Sequence, residues 1–231
     1  MAEALQGWSI ELTQVTPGAF RGRHRAVAWP GVLLQEGCTG PTLLQQGDSP
    51  PHPTFCVLSG PESCMTYRGR EQGVDEIRVI RPGEEIHVLS GNVFHVFTLT
   101  VDEAILRATA RSLGAEAVLD AGLAASVVRP EARAMQCLRR ALGDARDLGE
   151  VLRSLIRALA GASGGVVSRE ARRLDVVAQR VVQVLDEYPQ RAVTVGELVE
   201  ATGASERTLR RAVRAWCGVS PKQLVRARRL G

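Results

Sequence analysis

Several features are missing from this sequence of 231 residues, and each absence excludes a class of protein. It contains no run of about eighteen apolar residues, so no transmembrane helix is expected. The first ten residues, MAEALQGWSI, lack the basic-then-apolar pattern of a secretory signal. The five cysteines never form C-x-x-C, and an odd, scattered set predicts reduced thiols in a cytoplasmic protein.

Motifs of catalysis and cofactor binding are also missing. The sequence has no nucleophile elbow, no P-loop and no dinucleotide fingerprint. Adjacent acidic residues such as Glu84 and Glu85 would lie on opposite sides of a strand and could not act as a catalytic pair. We therefore expect neither an enzyme nor a bound cofactor.

Positive charge is unevenly distributed along the chain, and all but one of its carriers is arginine; the exception is Lys222. Residues 169–231 hold thirteen Arg and Lys against seven Asp and Glu, a net of +6. Residues 1–168 hold sixteen against eighteen, a net of −2, and the two parts sum to the overall +4. This asymmetry favours binding of phosphate groups by the C-terminal quarter of the chain.

The stretch at 194–222 predicts two short helices joined by a tight turn. Thr194 and Glu197 fit a capping box at the start of the first helix. Gly203 would end that helix, and Ser205 would cap a second helix that runs to about residue 217. After Gly218, a further helix would begin at 220–221 with serine as its cap and proline at its first position.

The second of these helices has two different faces. At about 100° per residue, four arginines fall on one side, whereas Leu209, Val213 and Trp216 fall on the other. A buried apolar side and an exposed row of guanidinium groups suit a helix in the DNA major groove, where arginine contacts phosphates and guanine edges. An ordinary solvated arginine face is the alternative, but the short helix–turn–helix punctuation favours DNA.

The string ATGASERTLRRAVRAWCGVSPK at 201–222 resembles the first helix-turn-helix of the AraC/XylS family of bacterial transcription regulators. The resemblance rests on S-x-R-T-L-x-R followed by G-V-S-P and extends from about Arg172 to Arg229. It is strong over this quarter of the chain and covers the remainder only in general layout. The family's DNA-binding domain has two such units joined by a long helix. Here the chain ends at Gly231, soon after that helix begins. We therefore expect either a fragment of a longer protein or a naturally short gene product without the second unit.

The resemblance implies double-stranded DNA, a small-molecule effector and RNA polymerase as partners of a cytoplasmic homodimer, with no membrane contact. The expected DNA-binding residues are Ser205, Arg207, Thr208, Arg210, Arg211, Arg214 and Lys222. Ser205 and Lys222 lie near predicted helix starts and are expected to contact phosphates. The other five residues are expected to face the major groove. Because one unit contacts few bases, we expect weak binding by a monomer and a steep dependence on salt.

Residues 1–101 predict a β domain. Short apolar and β-branched runs recur between turn signals such as Pro30-Gly31 and Pro82-Gly83, which is typical of a sandwich or small barrel. The layout resembles the cupin-like sensing domain of AraC-type proteins, with RPGEE at 81–85 as a weak supporting feature. The alternating residues from Val93 to Val101 are expected inside, more as filled core than as a pocket lining.

A metal-dependent enzyme on this domain is a remote alternative. Metal-binding cupins use an H-x-H pair, a nearby glutamate and a later histidine. This sequence has four histidines but no H-x-H, and although His87 and His95 could approach across a hairpin, no carboxylate has the matching spacing. We therefore expect no metal site.

The remaining segments complete a predicted α+β fold. Residues 102–160 form a helical connector, in which the apolar stripe of 147–160 serves either packing against the barrel or dimerisation. Residues 161–169, which begin GASGGVVS, form a linker. Residues 170–231 form a partial, all-α DNA-binding domain. The main functional alternative is a ligand-binding or dimerisation module that does not bind DNA well alone.

Overall fold

The structure is a computed structural model that describes residues 7–160, 169–188, 191–217 and 219–228. Eleven strands occur in these ranges: β1 Ser9–Gln14, β2 Arg21–Trp29, β3 Val32–Gly40, β4 Leu43–Asp48, β5 Thr54–Leu58, β6 Met65–Tyr67, β7 Arg70–Gln72, β8 Ile77–Ile80, β9 Glu85–Ser90, β10 Phe94–Val101 and β11 Val127–Val128. Eight helices accompany them: α1 Glu103–Ser112, α2 Glu116–Ala124, α3 Ala132–Asp144, α4 Leu148–Leu159, α5 Arg169–Glu187, α6 Val195–Thr202, α7 Glu206–Cys217 and α8 Pro221–Arg228.

The strands form two antiparallel sheets, so the predicted α+β class is confirmed. One sheet has the order β1-β4-β9-β6-β7, and the other has the order β11-β8-β5-β10-β3-β2. Within the described ranges no strand pairing joins the two sheets. The sandwich form of the prediction therefore holds, and a closed barrel is wrong.

Three apolar clusters hold the layers together. The first lies between α1–α4 and the outer face of the six-stranded sheet, with Leu34, Phe97 and Leu155 among its members. The second joins α5–α8 to the outer face of the five-stranded sheet through Leu44. The third, which includes Tyr67 and Val96, lies between the two sheets. The chain thus stacks helices, sheet, sheet and helices, and the central strands of each sheet are buried on both faces, whereas β1 and β2 at the edges stay largely exposed.

The predicted inner face of β10 is wrong, because the helices cover that side of the sheet. Phe97, Leu99 and Val101 are buried in the cluster under α1–α4 and do not lie between the sheets, while Val93, before the strand, is 49% exposed. The opposite face of the strand, from Phe94 to Thr98, lines the space between the sheets. The expectation that these residues fill a core is nevertheless correct.

The connector is helical, as predicted, although two of its elements were missed. Asp102 caps α1 by accepting a hydrogen bond from the Ala104 backbone N–H at 2.7 Å, and Gly114 follows in the left-handed region with a φ of 63°. The sequence did not predict α2, or β11, which pairs with β8. The apolar residues of α4 are buried in the chain's own core, which favours packing over dimerisation for that stripe.

Two further predictions fall mainly on residues outside the described ranges. The predicted linker lies outside the described residues except for Arg169, which already begins α5. Gly218 also lies outside them. The domain boundaries stay a prediction. In the described part of the chain, no helix is both long and apolar enough to cross a membrane.

Candidate nucleic-acid interface

Local capping interactions fix the start of each C-terminal helix. At α6, the Thr194 hydroxyl accepts from the Glu197 N–H at 3.2 Å, and the Glu197 carboxylate accepts from the Thr194 N–H at 2.7 Å. Hydrogen bonds from the backbone and hydroxyl of Thr194 lower the pKa of Glu197, so the capping box persists at neutral pH. Gly203, with a φ of 61°, ends α6. The predicted box and stop are both present.

The next two helices start in the same way. The Thr208 N–H donates to the Ser205 hydroxyl at 3.2 Å, and the Leu209 N–H donates to the Ser205 carbonyl at 2.8 Å. At α8, the Gln223 N–H donates to the Ser220 hydroxyl, while the Gln223 side chain accepts from the Ser220 N–H at 2.9 Å. These contacts fix the first turns of α7 and α8.

The apolar side of α7 is buried, as the sequence predicts. Leu209, Val213 and Trp216 are all 1% exposed or less. They pack with residues of α5 and α6, including Ala178 and Leu198. Burial of this side fixes the rotation of α7 about its own axis, so that its arginines face solvent.

The arginine side of α7 is exposed along its length. The side chains of Arg207, Arg210, Arg211 and Arg214 are all exposed. The Arg210 guanidinium pairs with the Glu206 carboxylate one turn earlier at 2.6 Å, and both side chains are more than half exposed. Such an exposed pair contributes only about 0.3–0.5 kcal/mol, so a phosphate or a base edge can replace the carboxylate.

A shallow groove connects this side of α7 with the start of α8. Arg210 and Arg214 line it from α7, and Ser220, Pro221 and Lys222 line it from the other side. The structure thus brings Lys222 to the arginine surface, while Ser205 and Thr208 mark the surface's N-terminal end and bond to each other at 2.9 Å. Of the seven residues predicted from the sequence, the four arginines and Lys222 are thus brought together, while Ser205 and the half-buried Thr208 lie at the start of α7.

The reverse side of α7 rests on the five-stranded sheet, a contact that the sequence did not predict. The ring of His87 in β9 lies 4.4 Å from the ring of Trp216, measured between centroids. Leu44 of β4 and Leu89 of β9 join the same apolar cluster. The His87 ring also meets the Glu85 carboxylate at 2.8 Å. The sheet therefore supports the helix that carries the arginines.

A cavity of about 90 Å³ lies between the two sheets and is lined mainly by apolar side chains. The five-stranded sheet contributes Ile86 and Val88, and the six-stranded sheet contributes Cys56 and Val96. Burial raises the pKa of the Cys56 thiol to about 12, so this sulfur stays protonated.

Polar groups occupy one margin of the cavity. The His24 ring and the Gln35 amide lie 3.2 Å apart. The indole N–H of Trp8 and the hydroxyl of Thr39 are buried and have no hydrogen-bond partner among the described residues. The cavity can therefore offer hydrogen bonds as well as apolar contact.

Histidine positions do not support the remote metal alternative. His87 belongs to the five-stranded sheet and faces α7, whereas His95 belongs to the other sheet and meets the Glu36 carboxylate at 2.7 Å. Burial would raise the pKa of Glu36, but the hydrogen bond from His95 and the charge of Arg25 outweigh it and lower that pKa. Across the described residues, no group of three or more His, Cys, Asp or Glu is arranged to hold a metal ion.

Comparisons with known proteins give weak structural likenesses only. No protein-family model matches the chain, and no curated protein matches it either. The crystal structure of the AraC-like transcriptional activator CuxR covers 99% of this chain and 86% of its own, with 15% identity and a TM-score of 0.48. ToxT from Vibrio cholerae, bound to (E)-4-(8-methylnaphthalen-1-yl)but-3-enoic acid, covers 92% and 82%, with 9% identity and a TM-score of 0.38. At these scores the likeness carries no conclusion about fold or function.

Proposed function

We propose that this chain is a DNA-binding transcription regulator of AraC type, without a catalytic role. One observation supports this most directly: α7 buries Leu209 and Trp216 while it exposes its four arginines. The same helix carries the S-x-R-T-L-x-R string that resembles the family. A helix with this division matches the requirement for major-groove binding.

We assign roles by position on this surface. Arg207, Arg210, Arg211 and Arg214 face the bases and the groove walls, since they lie on the exposed side of α7. We assign the same role to Thr208, which is half-buried in the first turn of that helix. Ser205 and Lys222 contact phosphates. Each lies at a helix start, where backbone N–H groups favour an anion.

We further propose that the β domain regulates this surface. Successive residues of a strand point to opposite faces of the sheet. In β9, Ile86 and Val88 line the cavity, while His87 and Leu89 contact the cluster beneath α7. A single sheet thus separates a ligand-sized space from the proposed DNA-binding helices, and a ligand that shifts β9 would act directly on the position of α7.

Useful affinity would require a homodimer, because one unit of this size contacts few bases. The apolar stripe of α4 cannot provide that contact, since it is buried within the chain. RNA polymerase as a partner and a cytoplasmic location stay predictions. A module that associates without binding DNA is the outcome to be distinguished by experiment.

Arg210→Ala tests the proposal. Specific DNA would first be selected from random sequence with the wild-type chain, and binding would then be followed by fluorescence anisotropy. If Arg210 contacts a base, the variant loses about 1–3 kcal/mol on the selected DNA and less on random DNA. Arg133→Ala, on the exposed side of α3, is the control and should bind like wild type.

Two results would contradict parts of the proposal. Equal losses on selected and random DNA would make Arg210 a phosphate contact only. The wild-type chain could also fail to bind any DNA at concentrations up to micromolar while circular dichroism shows that it is folded. That result would favour a module that associates with other chains and does not bind DNA.

A further inference from the structure

A buried guanidinium group lies between the two sheets without the hydrogen bonds that it needs. Arg78 in β8 is 4% exposed. Its Nε and Nη2 atoms have no hydrogen-bond partner among the described residues. Its main contact is with the ring of Tyr67, whose centroid lies 4.5 Å from the guanidinium carbon. The aromatic face and the more distant charge of Glu76 stabilise the guanidinium, but neither accepts a hydrogen bond from these two atoms.

An aromatic face does not compensate for this burial. A desolvated cation–π contact stabilises a buried charge by less than the loss of its hydration costs. The nearest candidate counter-ion, Glu76, is already occupied. Its carboxylate accepts from Arg70 at 2.7 Å, from Arg129 at 2.7 and 2.9 Å, and from the Gly73 N–H at 3.2 Å. Arg78 thus has an unmet requirement for an anion.

The unpaired group does not line the cavity itself, but it lies next to residues that do. Cys56 is the partner of Arg78 in the register between β5 and β8, and it lines the cavity. Ile80, two residues after Arg78 on the same face, also lines it. On the opposite sheet, Met65 lines the cavity and Tyr67 follows on the same face. Arg78 and Tyr67 therefore lie one step beyond the cavity's end.

The unpaired atoms have the arrangement that a carboxylate requires. The Nε–H and the outer Nη2–H of a guanidinium form one edge with two parallel donors, which match the two oxygens of a carboxylate. Arg70 adds a second positive charge close to Arg78, and its Nη1 atom is also buried and unpaired. The same edge has no comparable fit to a neutral group or to a cation.

The cavity sets the size and polarity of the rest of the ligand. Its lining near Arg78 is apolar, and its volume is about 90 Å³. A cavity of about 150 Å³ binds benzene, so the body of the ligand is smaller than a benzene ring. This leaves room for an aliphatic group of about four carbons.

We propose that the space between the sheets binds a short-chain aliphatic carboxylate, with Arg78 pairing the carboxylate and the cavity enclosing the alkyl group. The inference names a ligand class for the regulatory role proposed above and rests on it only for its biological consequence. The binding itself requires no DNA, so it stands or fails independently of DNA recognition.

Isothermal titration of the full chain with isovalerate tests the proposal, and isovaleramide serves as a neutral probe of the same shape. We expect one isovalerate per chain and at least tenfold weaker binding of the amide. Arg78→Met should weaken isovalerate binding at least tenfold, while Arg133→Met on the surface should leave it unchanged. Val96→Phe, which fills the cavity without touching the charge, should abolish binding.

Three results would overturn the proposal. The wild-type chain could show no saturable binding of isovalerate, or it could bind acid and amide with equal affinity. The third result is an unchanged affinity for isovalerate in Val96→Phe or Arg78→Met. If Arg78→Met does not fold by circular dichroism, the wild-type comparison decides, and an acid-to-amide preference below threefold refutes the role of Arg78.

Discussion

Replacement of Trp216 by alanine should lower the free energy of unfolding, because it removes the side chain that anchors α7 beneath its arginines. Trp216 is 1% exposed and lies in the cluster that joins α7 to α5, α6 and the five-stranded sheet. Its ring faces His87 at 4.4 Å. The variant should therefore lose both the packing of α7 and its contact with the sheet.

The structure gives the size of the loss. A buried tryptophan removes about 150–250 Å² of surface from water, which at about 25 cal/mol/Å² corresponds to roughly 4–6 kcal/mol. Its indole N–H has no hydrogen-bond partner among the described residues, so no hydrogen bond to it is lost. Partial collapse of the site recovers part of the burial term. We expect a loss of about 3–5 kcal/mol, the range of large aromatic-to-alanine changes.

Urea denaturation followed by circular dichroism at 222 nm measures this loss. Trp216→Phe keeps an aromatic ring against His87 and should cost much less than the alanine variant. Arg214→Ala, two residues away on the exposed side, should change stability by less than about 0.5 kcal/mol. A Trp216→Ala variant within 1 kcal/mol of wild type would show that the ring does not anchor α7.

Two further predictions concern helix capping and pH. Thr194→Ala removes the capping box of α6 and should lower the free energy of unfolding, measured by urea denaturation, by about 1 kcal/mol. Thr194→Ser keeps a hydroxyl and should retain most of that stability. An alanine variant as stable as wild type would contradict a stabilising role of the capping box. Burial would raise the pKa of Glu76, but hydrogen bonds from Arg129 and Gly73 and the charge of Arg70 outweigh it and lower that pKa. Its stabilising contribution is therefore complete above its ordinary value of 4.5 and is lost as pH falls through the lower folded-state value. Glu76→Gln should cost roughly 1.5–3 kcal/mol at pH 7 and should flatten the fall in stability below pH 4.5, measured by urea denaturation between pH 3 and 7; an unchanged pH profile would contradict the assignment.

Features set by neighbours in the chain were predictable from the sequence. The caps at Thr194 and Ser205 and the stop at Gly203 depend on local backbone chemistry, and all three are present. The two-sided character of α7 follows from helical spacing alone. The exposed arginines and the buried Trp216 therefore agree with expectation.

Features set by distant parts of the chain were not predictable in this way. Alternation groups Phe97 with Leu99, but it does not tell which layer covers that face, and the expectation that it lies inside the β domain was wrong, because helices cover it. The contact between His87 and Trp216 joins residues 129 positions apart, and no local pattern signals it. Arg78 occurs in an ordinary strand-like run, DEIRVI, and only the pairing of the sheets shows that its charge is buried.

The central claim is that the exposed arginines of α7 bind DNA, and the salt dependence of binding tests it most directly. Anisotropy titrations between 50 and 200 mM salt would compare the wild-type chain with a variant in which Arg207, Arg210, Arg211 and Arg214 are all glutamine. Each of these arginines that also neutralises a phosphate on the groove wall adds about −0.9 to the slope of log K against log salt, so the four together contribute at most about −3.6. We predict that the glutamine variant stays folded, binds DNA much more weakly and loses most of this slope. Equal affinity and equal slope for the two proteins would contradict it.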